Sequence, residues 1–145
     1  DKLSNLIKPA GYFNVKSRRL KTLLNFIQQY YKGNLMYMQR QDTYMLRNQL
    51  LGVNGVGHET ADSILLYAFN KPIFVVDAYT KRIFSRLHMS SLDSTYDEIQ
   101  KLFMKGLSLN APLFNEYHAL IVRLGKDYCK KNNPKCDECP VKDEH

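Results

Sequence analysis

The segment from Asn54 to Ile83 reads NGVGHETADSILLYAFNKPIFVVDAYTKRI. Gly55 and Gly57 flank one apolar residue, Val56. The run that follows carries Ala61, Ile64, Leu65 and Ala68 at helical spacing. Asp77 comes directly after PIFVV and opens a second amphipathic run with Ala78, Ile83, Phe84 and Leu87. Glycine permits positive φ and close backbone approach, so the pair marks a tight turn with Val56 pointing back into the core. PIFVV is the only strand-like run in the chain and is too short to imply a sheet by itself.

The flanking sequence is helical on both sides. NVKSRRLKTLLNFIQQYYKGN offers Asn14 as an N-cap. Leu20, Leu23, Leu24, Ile27, Tyr30 and Tyr31 then recur at helical spacing, and Gly33 can close the helix. DTYMLRNQLLGV reads as a shorter helix; STYDEIQKLFMKGL and APLFNEYHALIVRLGKDYC complete the set. There is no internal repeat and no low-complexity stretch. The fold class is all-α, with helices joined by short turns.

The chain has 145 residues, 44% of them hydrophobic, which suits one compact domain or two small lobes with a real core. No apolar run reaches the length of a membrane span, and no signal-peptide pattern opens the chain. It begins with Asp rather than Met, which fits a fragment. The formal charge of +7 favours an anionic partner, nucleic acid first; a merely soluble basic surface is the alternative that charge alone leaves open. The three cysteines all lie near the C-terminus, unlike the scattered disulfides of a secreted domain.

The glycine turn can do chemistry as well as turn the chain. A helix starting near His58 to Thr60 directs free N–H groups and the positive end of its dipole at one point, which suits a phosphate. Such a contact grips DNA without reading sequence. The alternative is an ordinary Gly-rich corner between two helices.

GVNGVGHETADSIL resembles the helix-hairpin-helix of the endonuclease III (HhH-GPD) superfamily of DNA glycosylases. Three motifs carry the resemblance, in order. The hairpin is followed by an extended segment and Asp77 in FVVDAYTKRI; IKPAGYFNVKSRRL upstream resembles the family's turn before a long helix; CKKNNPKCDECP downstream resembles its iron–sulfur loop. The resemblance implies a helix-hairpin-helix glycosylase fold of two helical lobes with the N-terminal part missing. Residues 1–71 would belong to the helical-barrel lobe with the hairpin, and 72–145 to the C-terminal lobe with the Cys-rich loop. It also implies a cleft for a flipped nucleotide, with Asp77 near the lobe boundary.

Asp77 reads as a helix N-cap from its position alone. The resemblance adds a catalytic role, compatible with the cap: a fixed carboxylate beside C1′ that stabilises an oxocarbenium-like sugar and orients water. Glu59 stands where bifunctional family members carry the Lys that forms a Schiff base. A carboxylate cannot form an imine, so the implied enzyme is monofunctional, with Asp77 and Glu59 as the catalytic candidates. Some 3-methyladenine glycosylases of the superfamily are similar here, with an acidic residue in a G-x-E-[ST]-A-D context. Glu59 can also be simply a solvated residue near a favourable dipole end.

Cys129, Cys136 and Cys139 have the spacing C-x6-C-x2-C. The resemblance implies a [4Fe–4S] cluster, with His145 at the place of the fourth ligand; zinc or no metal are the alternatives. The implied DNA contacts are Gly55, Val56, Gly57, His58 and Thr60 in the hairpin, Tyr12 as an aromatic near the flipped base, and Lys81 and Arg82, joined by Arg86, on the helix after Asp77. Lys130, Lys131 and Lys135 can meet phosphates from the Cys-rich loop or be solvated. Phe13 reads as a core or staple residue, and His118 as a packed helix residue rather than a ligand.

The reading that results is a base-excision repair enzyme. It hydrolyses the N-glycosidic bond of a damaged or mismatched base in double-stranded DNA. It is expected to be cytoplasmic, nucleoid-associated and monomeric, with no membrane partner. The alternative is a catalytically inactive helix-hairpin-helix DNA-binding module.

Overall fold

A computed structural model describes residues 2–144. The elements are α1 Lys2–Leu6, a 3₁₀ turn Lys8–Ala10, α2 Phe13–Tyr31, α3 Leu35–Gln39, α4 Thr43–Leu51, α5 His58–Ser63 continuing as a π-helical turn Ile64–Ala68, α6 Ala78–Arg86, α7 Tyr96–Gly106, α8 Ala111–Asp127 and a 3₁₀ turn Lys142–Glu144. The fold is all-α, and no strand occurs among the described residues. No helix of the described residues is long and apolar enough to cross a membrane. The chain forms two compact units, one ending at Ala61 and the other beginning at Asp62.

In the first unit the caps explain the helix limits. α2 starts two residues earlier than Asn14 would set it: Tyr12 is its N-cap residue, in a left-handed conformation with φ 47°, and Asn14 lies inside the helix. The helix stops where Lys32 and Gly33 both turn to positive φ and both donate their N–H to the Ile27 carbonyl. Asn34 then caps α3, an element the hydrophobic spacing does not reveal, through its side chain to the Tyr37 N–H. Asp42 caps α4 by accepting from the Tyr44 and Met45 N–H groups. Tyr31, Met38, Leu46, Leu50, Val53, Val56 and Ala61 are the buried apolar residues. Leu20, Leu24 and Tyr30, expected on the apolar face of α2, are instead 39%, 52% and 66% exposed. Tyr31, on the same helix, is buried and donates its hydroxyl to Gln49 Oε1 on α4.

The second unit is built around Phe74. Its ring stacks on Phe103 of α7 at 3.7 Å between centroids and meets Phe114 of α8 edge-on at 5.5 Å. Leu66, Val75, Val76, Ile83, Ile99 and Ile121 close the cluster. The π turn explains why the inward face differs from the 3.6-residue pattern. It adds a residue to the turn, so Asp62, Leu65, Leu66 and Phe69 are buried while Ala68 is exposed. Ala78 is exposed for a different reason. It is the first residue of α6, and the buried positions of that helix are Thr80 and Ile83.

PIFVV is extended and buried but pairs with no other strand. The Ile73 N–H donates to the Lys71 carbonyl at 2.8 Å, and side chains meet two further backbone groups. Gln100 Nε2 donates to the Phe74 carbonyl at 2.6 Å, and the Val76 N–H donates to the Tyr96 hydroxyl at 3.3 Å. Tyr96 and Gln100 in turn each donate to Asp62 Oδ2 at 2.8 Å. Asp62 is completely buried. This carboxylate, reached through two residues of α7, fixes the segment that delivers Asp77. α7 is itself anchored by a capping box in which Thr95 and Glu98 exchange hydrogen bonds.

Candidate active site and nucleic-acid interface

Asp77 ends the extended segment and caps α6. Its Oδ1 accepts from the Thr80 N–H at 2.7 Å and from the Thr80 hydroxyl at 2.9 Å. Its Oδ2 faces His118 Nε2 of α8 at 3.5 Å, and the two side chains are 12% and 13% exposed. That separation is an electrostatic contact rather than a hydrogen bond, and buried His118 Nε2 has no hydrogen-bond partner. Burial alone pushes the Asp77 carboxyl upward. The imidazole of His118 and the two Thr80 donors outweigh it and hold Asp77 below the usual carboxylate range. The group is therefore an anion with little access to water. The other imidazole nitrogen, Nδ1, lies 2.5 Å from the Tyr67 hydroxyl on the π turn.

The helix α6 that starts at Asp77 is tied to the Cys-rich loop by its arginines. Arg82 donates from Nε to the Cys129 carbonyl at 2.8 Å and from Nη2 to the Gly125 carbonyl at 3.1 Å, with its guanidinium over the Tyr79 ring. Arg86 donates to the Lys130 and Lys131 carbonyls at 2.8 and 3.1 Å and lies 3.3 Å from Cys129 Sγ. Both arginines, expected at the phosphates, thus have internal hydrogen-bonding work. Lys81 is exposed and lines an open groove of about 430 Å³ with Ala78, Ser85 and Lys131. Lys135 pairs with Glu138 at 3.2 Å.

In the first unit the hairpin has the geometry its glycines suggest. Gly55 has φ +91°, and a Cβ there would meet Arg19 Cγ at 2.5 Å, so conformation and space both require glycine. Val56 is buried and donates its N–H to the Val53 carbonyl at 3.0 Å. At Gly57 a Cβ would meet nothing within 4 Å. No internal contact demands glycine at that position. His58 Nδ1 lies 3.2 Å from Arg47 Nη2, and Glu59 and Thr60 are exposed in the first turn of α5. Tyr12 is 86% exposed, while Phe13 is half-buried, with Lys8 Nζ 6.0 Å from its ring centroid.

Cys129, Cys136 and Cys139 all line one cavity, together with Ile83, Leu124 and Tyr128. Soft sulfur ligands in an apolar wall suit an iron–sulfur cluster, and the Arg86 guanidinium lies beside Cys129 Sγ. The donor set therefore fits the group in its chemistry. No three His, Cys, Asp or Glu side chains of the described residues stand close enough together to hold a metal ion without adjustment. His145 lies outside the described residues.

Sequence reading took His118 as a packed helix residue without its contact to Asp77, and it missed Tyr67 and the Asp62–Tyr96–Gln100 group. His118 shares the inward face of α8 with Phe114, Ile121 and Gly125 at spacings of four, three and four. A titratable ring in an apolar stripe needs a polar partner, and that requirement was the available signal.

A family model described as HhH-GPD superfamily base excision DNA repair protein matches residues 1–108. A protein of Methanocaldococcus jannaschii that carries the name of a DNA repair glycosylase is 51% identical over 145 residues, covering 99% of this chain and 65% of its own length. Endonuclease III of Sulfolobus acidocaldarius is 32% identical over 94% of this chain and 58% of its own length. The chain thus spans less than two thirds of these relatives. Among solved structures, an endonuclease III–DNA covalent intermediate superposes with a TM-score of 0.79 at 26% identity, over 97% of this chain and 61% of that one. H. pylori 3-methyladenine DNA glycosylase bound to 1,N6-ethenoadenine superposes with a TM-score of 0.73 at 31% identity, over 86% of this chain and 62% of that one.

Proposed function

The chain belongs to the HhH-GPD superfamily of base excision DNA repair proteins, and from that membership we propose that it is the catalytic part of a DNA N-glycosylase. The observation that carries the proposal is Asp77: a carboxylate held ionised and nearly buried, with Thr80 donating to one oxygen and His118 facing the other. Cleavage of an N-glycosidic bond builds positive charge on deoxyribose, and a preorganised anion stabilises that charge by about 3–4 kcal/mol. The substrate is double-stranded DNA with the damaged or mismatched base turned out of the stack. The hairpin Gly55–Thr60 grips the backbone, Tyr12 supplies an exposed aromatic surface for stacking, and Lys81 adds a phosphate contact.

Glu59 carries the second half of the proposal. An amine at that position would attack C1′; a carboxylate cannot, so the reaction is hydrolysis and its product is an abasic site in an intact strand. Cys129, Cys136 and Cys139, with His145, would hold a [4Fe–4S] cluster. When bound, that cluster supplies a covalent tie for the loop that Arg82 and Arg86 join to α6.

The test is base release from the full-length protein. Duplexes each carry one alkylated purine, oxidised pyrimidine, uracil or mismatched adenine. At least one should lose its base without strand scission, and borohydride should trap no adduct. Asp77→Asn retains a good N-cap, so it should fold and bind DNA while releasing no base. Efficient trapping by the unaltered protein would overturn hydrolysis. Undiminished release by Asp77→Asn would overturn the catalytic assignment and leave the inactive DNA-binding module as the reading.

A further inference from the structure

His118 meets the carboxylate of Asp77 from a different helix, and its ring is held from behind. Nε2 is 3.5 Å from Asp77 Oδ2, and Nδ1 is 2.5 Å from the Tyr67 hydroxyl. Three elements therefore converge: α6 through Asp77, α8 through His118, and the π turn through Tyr67. The imidazole ring also stands edge-on to Phe74 at 6.4 Å and tilted to Tyr67 at 5.9 Å, so its plane is constrained on two sides. The titratable groups that meet the Asp77 carboxylate are His118 and, behind it, Tyr67; α6 itself contributes only the Thr80 donors.

The carboxylate selects the imidazole's protonation. A neutral ring with its proton on Nδ1 would present a lone pair at Nε2 to an anionic oxygen, which is repulsive. A neutral ring with its proton on Nε2 accepts from the Tyr67 hydroxyl at Nδ1 and points N–H at Asp77. A cationic ring also keeps a proton on Nε2 and donates from Nδ1 to the Tyr67 oxygen. In both favourable states Nε2 carries a proton. Nε2 is buried and otherwise has no hydrogen-bond partner. A buried donor without a partner costs free energy. Its orientation toward Oδ2 offsets that cost, and a short closing movement turns the contact into a hydrogen bond.

We infer that His118 is a positioning residue for Asp77, and that Tyr67 fixes the ring so that Nε2–H holds the carboxylate in one rotamer. Thr80 claims Oδ1, and His118 claims one side of Oδ2. The remaining lone pairs of Oδ2 are the ones left to face a sugar or a water. The inference rests on Asp77 being the reacting carboxylate only for its consequence on rate. The arrangement of the three side chains is independent of that reading.

The deciding measurement is NMR on the full-length protein. Long-range proton–nitrogen spectra report the His118 protonation, and side-chain carbon shifts report the Asp77 titration. The wild-type ring should carry its proton on Nε2 at neutral pH. The Asp77 midpoint should rise in His118→Phe, because the imidazole that lowers it is gone. It should rise less in Tyr67→Phe, whose residue is half exposed and whose loss leaves the ring in place. His118→Gln should recover part of the wild-type midpoint by returning a donor. On any duplex from which the protein releases a base, the single-turnover rate should fall about tenfold or more in His118→Phe with DNA affinity unchanged. An Nε2 without a proton, or an Asp77 midpoint unmoved in His118→Phe, overturns the inference. If His118→Phe does not fold, an unmoved midpoint in Tyr67→Phe overturns it equally. Retained base release by Asp77→Asn would count against the catalytic reading alone, because the titrations stand without it.

Discussion

Tyr79 of α6 packs its ring directly on the backbone of Gly125 of α8, leaving no room for a Cβ there. Arg82 bridges the same two residues, donating to the Gly125 carbonyl while lying over the Tyr79 ring. Gly125→Ala should therefore push Tyr79 out of its rotamer and lower stability by about 1–3 kcal/mol. Gly106→Ala is the control. A Cβ there meets nothing, so its melting temperature should stay within a few degrees of wild type or rise slightly. Equal melting temperatures for the two variants would show that the Tyr79–Gly125 contact is not limiting.

The two hairpin glycines should separate stability from DNA binding. Gly55→Val forces a β-branched residue to φ +91° against Arg19, and it should destabilise the first unit. Gly57→Val places its Cβ where no atom of the chain lies within 4 Å, so folding should be spared. Its binding to all duplexes should weaken about equally, with a shallower dependence on salt, as a backbone–phosphate contact is lost. A changed sequence preference with affinity intact would contradict this.

Removing the acceptor of a buried network should cost more than any surface change. Asp62→Ala leaves the Tyr96 hydroxyl and Gln100 Nε2 without the carboxylate that both reach at 2.8 Å. The expected loss is about 2–4 kcal/mol by chemical denaturation. Because Gln100 and Tyr96 also hold the backbone at Phe74 and Val76, hydrogen exchange over residues 73–77 should rise in the same variant. Unchanged exchange there would detach the network from the delivery of Asp77.

The acid limb of stability follows from the sign of two shifts. Asp77 is held below its ordinary value of 3.8 in the folded chain, and exposed Glu98 is lowered by the Thr95 backbone and hydroxyl donors. A carboxyl depressed on folding contributes stability that is fully present above its unfolded value. That stability is lost as pH falls through the folded value. Unfolding free energy should therefore be flat down to about pH 5 and decline below it. Asp77→Asn and Glu98→Gln should each shallow that decline. A decline of unaltered steepness in both would assign it to other groups.

Metal content offers a direct check on the Cys-rich loop. Purified full-length protein should be brown, with about four iron and four sulfide per chain. Cys139→Ser, at the buried thiol, should lose both and loosen the loop. Stoichiometric zinc, or no metal, would sink the cluster. Arg86→Ala removes the donors to the Lys130 and Lys131 carbonyls, so it should raise loop exchange even where iron is retained.

Local chemistry made much of this protein legible in the sequence. Helical periodicity identified α2 and α4 to α8, because a 3.6-residue repeat of apolar side chains is a property of the chain itself. The hairpin glycines and the extended run ending at Asp77 announced a turn and a cap, since backbone freedom and side-chain acceptors act over a few residues. Neither the capped short helix α3 nor the shifted face of the π turn was legible. The first has too few residues for a period, and the second depends on an inserted residue that only packing selects.

The sequence by itself determined that Asp77 would cap α6, that three thiols would sit in one loop, and that the chain would be basic and helical. Only the tertiary structure decided what surrounds them. It set His118 against Asp77 across 41 positions of chain. It brought Tyr67 to the far side of that ring and Asp62 beneath the extended segment, and it turned Arg82 and Arg86 inward. The physical reason is range. A cap or a turn is settled by neighbours in sequence, whereas the charge state and orientation of a buried group depend on whichever distant side chains folding places within a few ångströms of it.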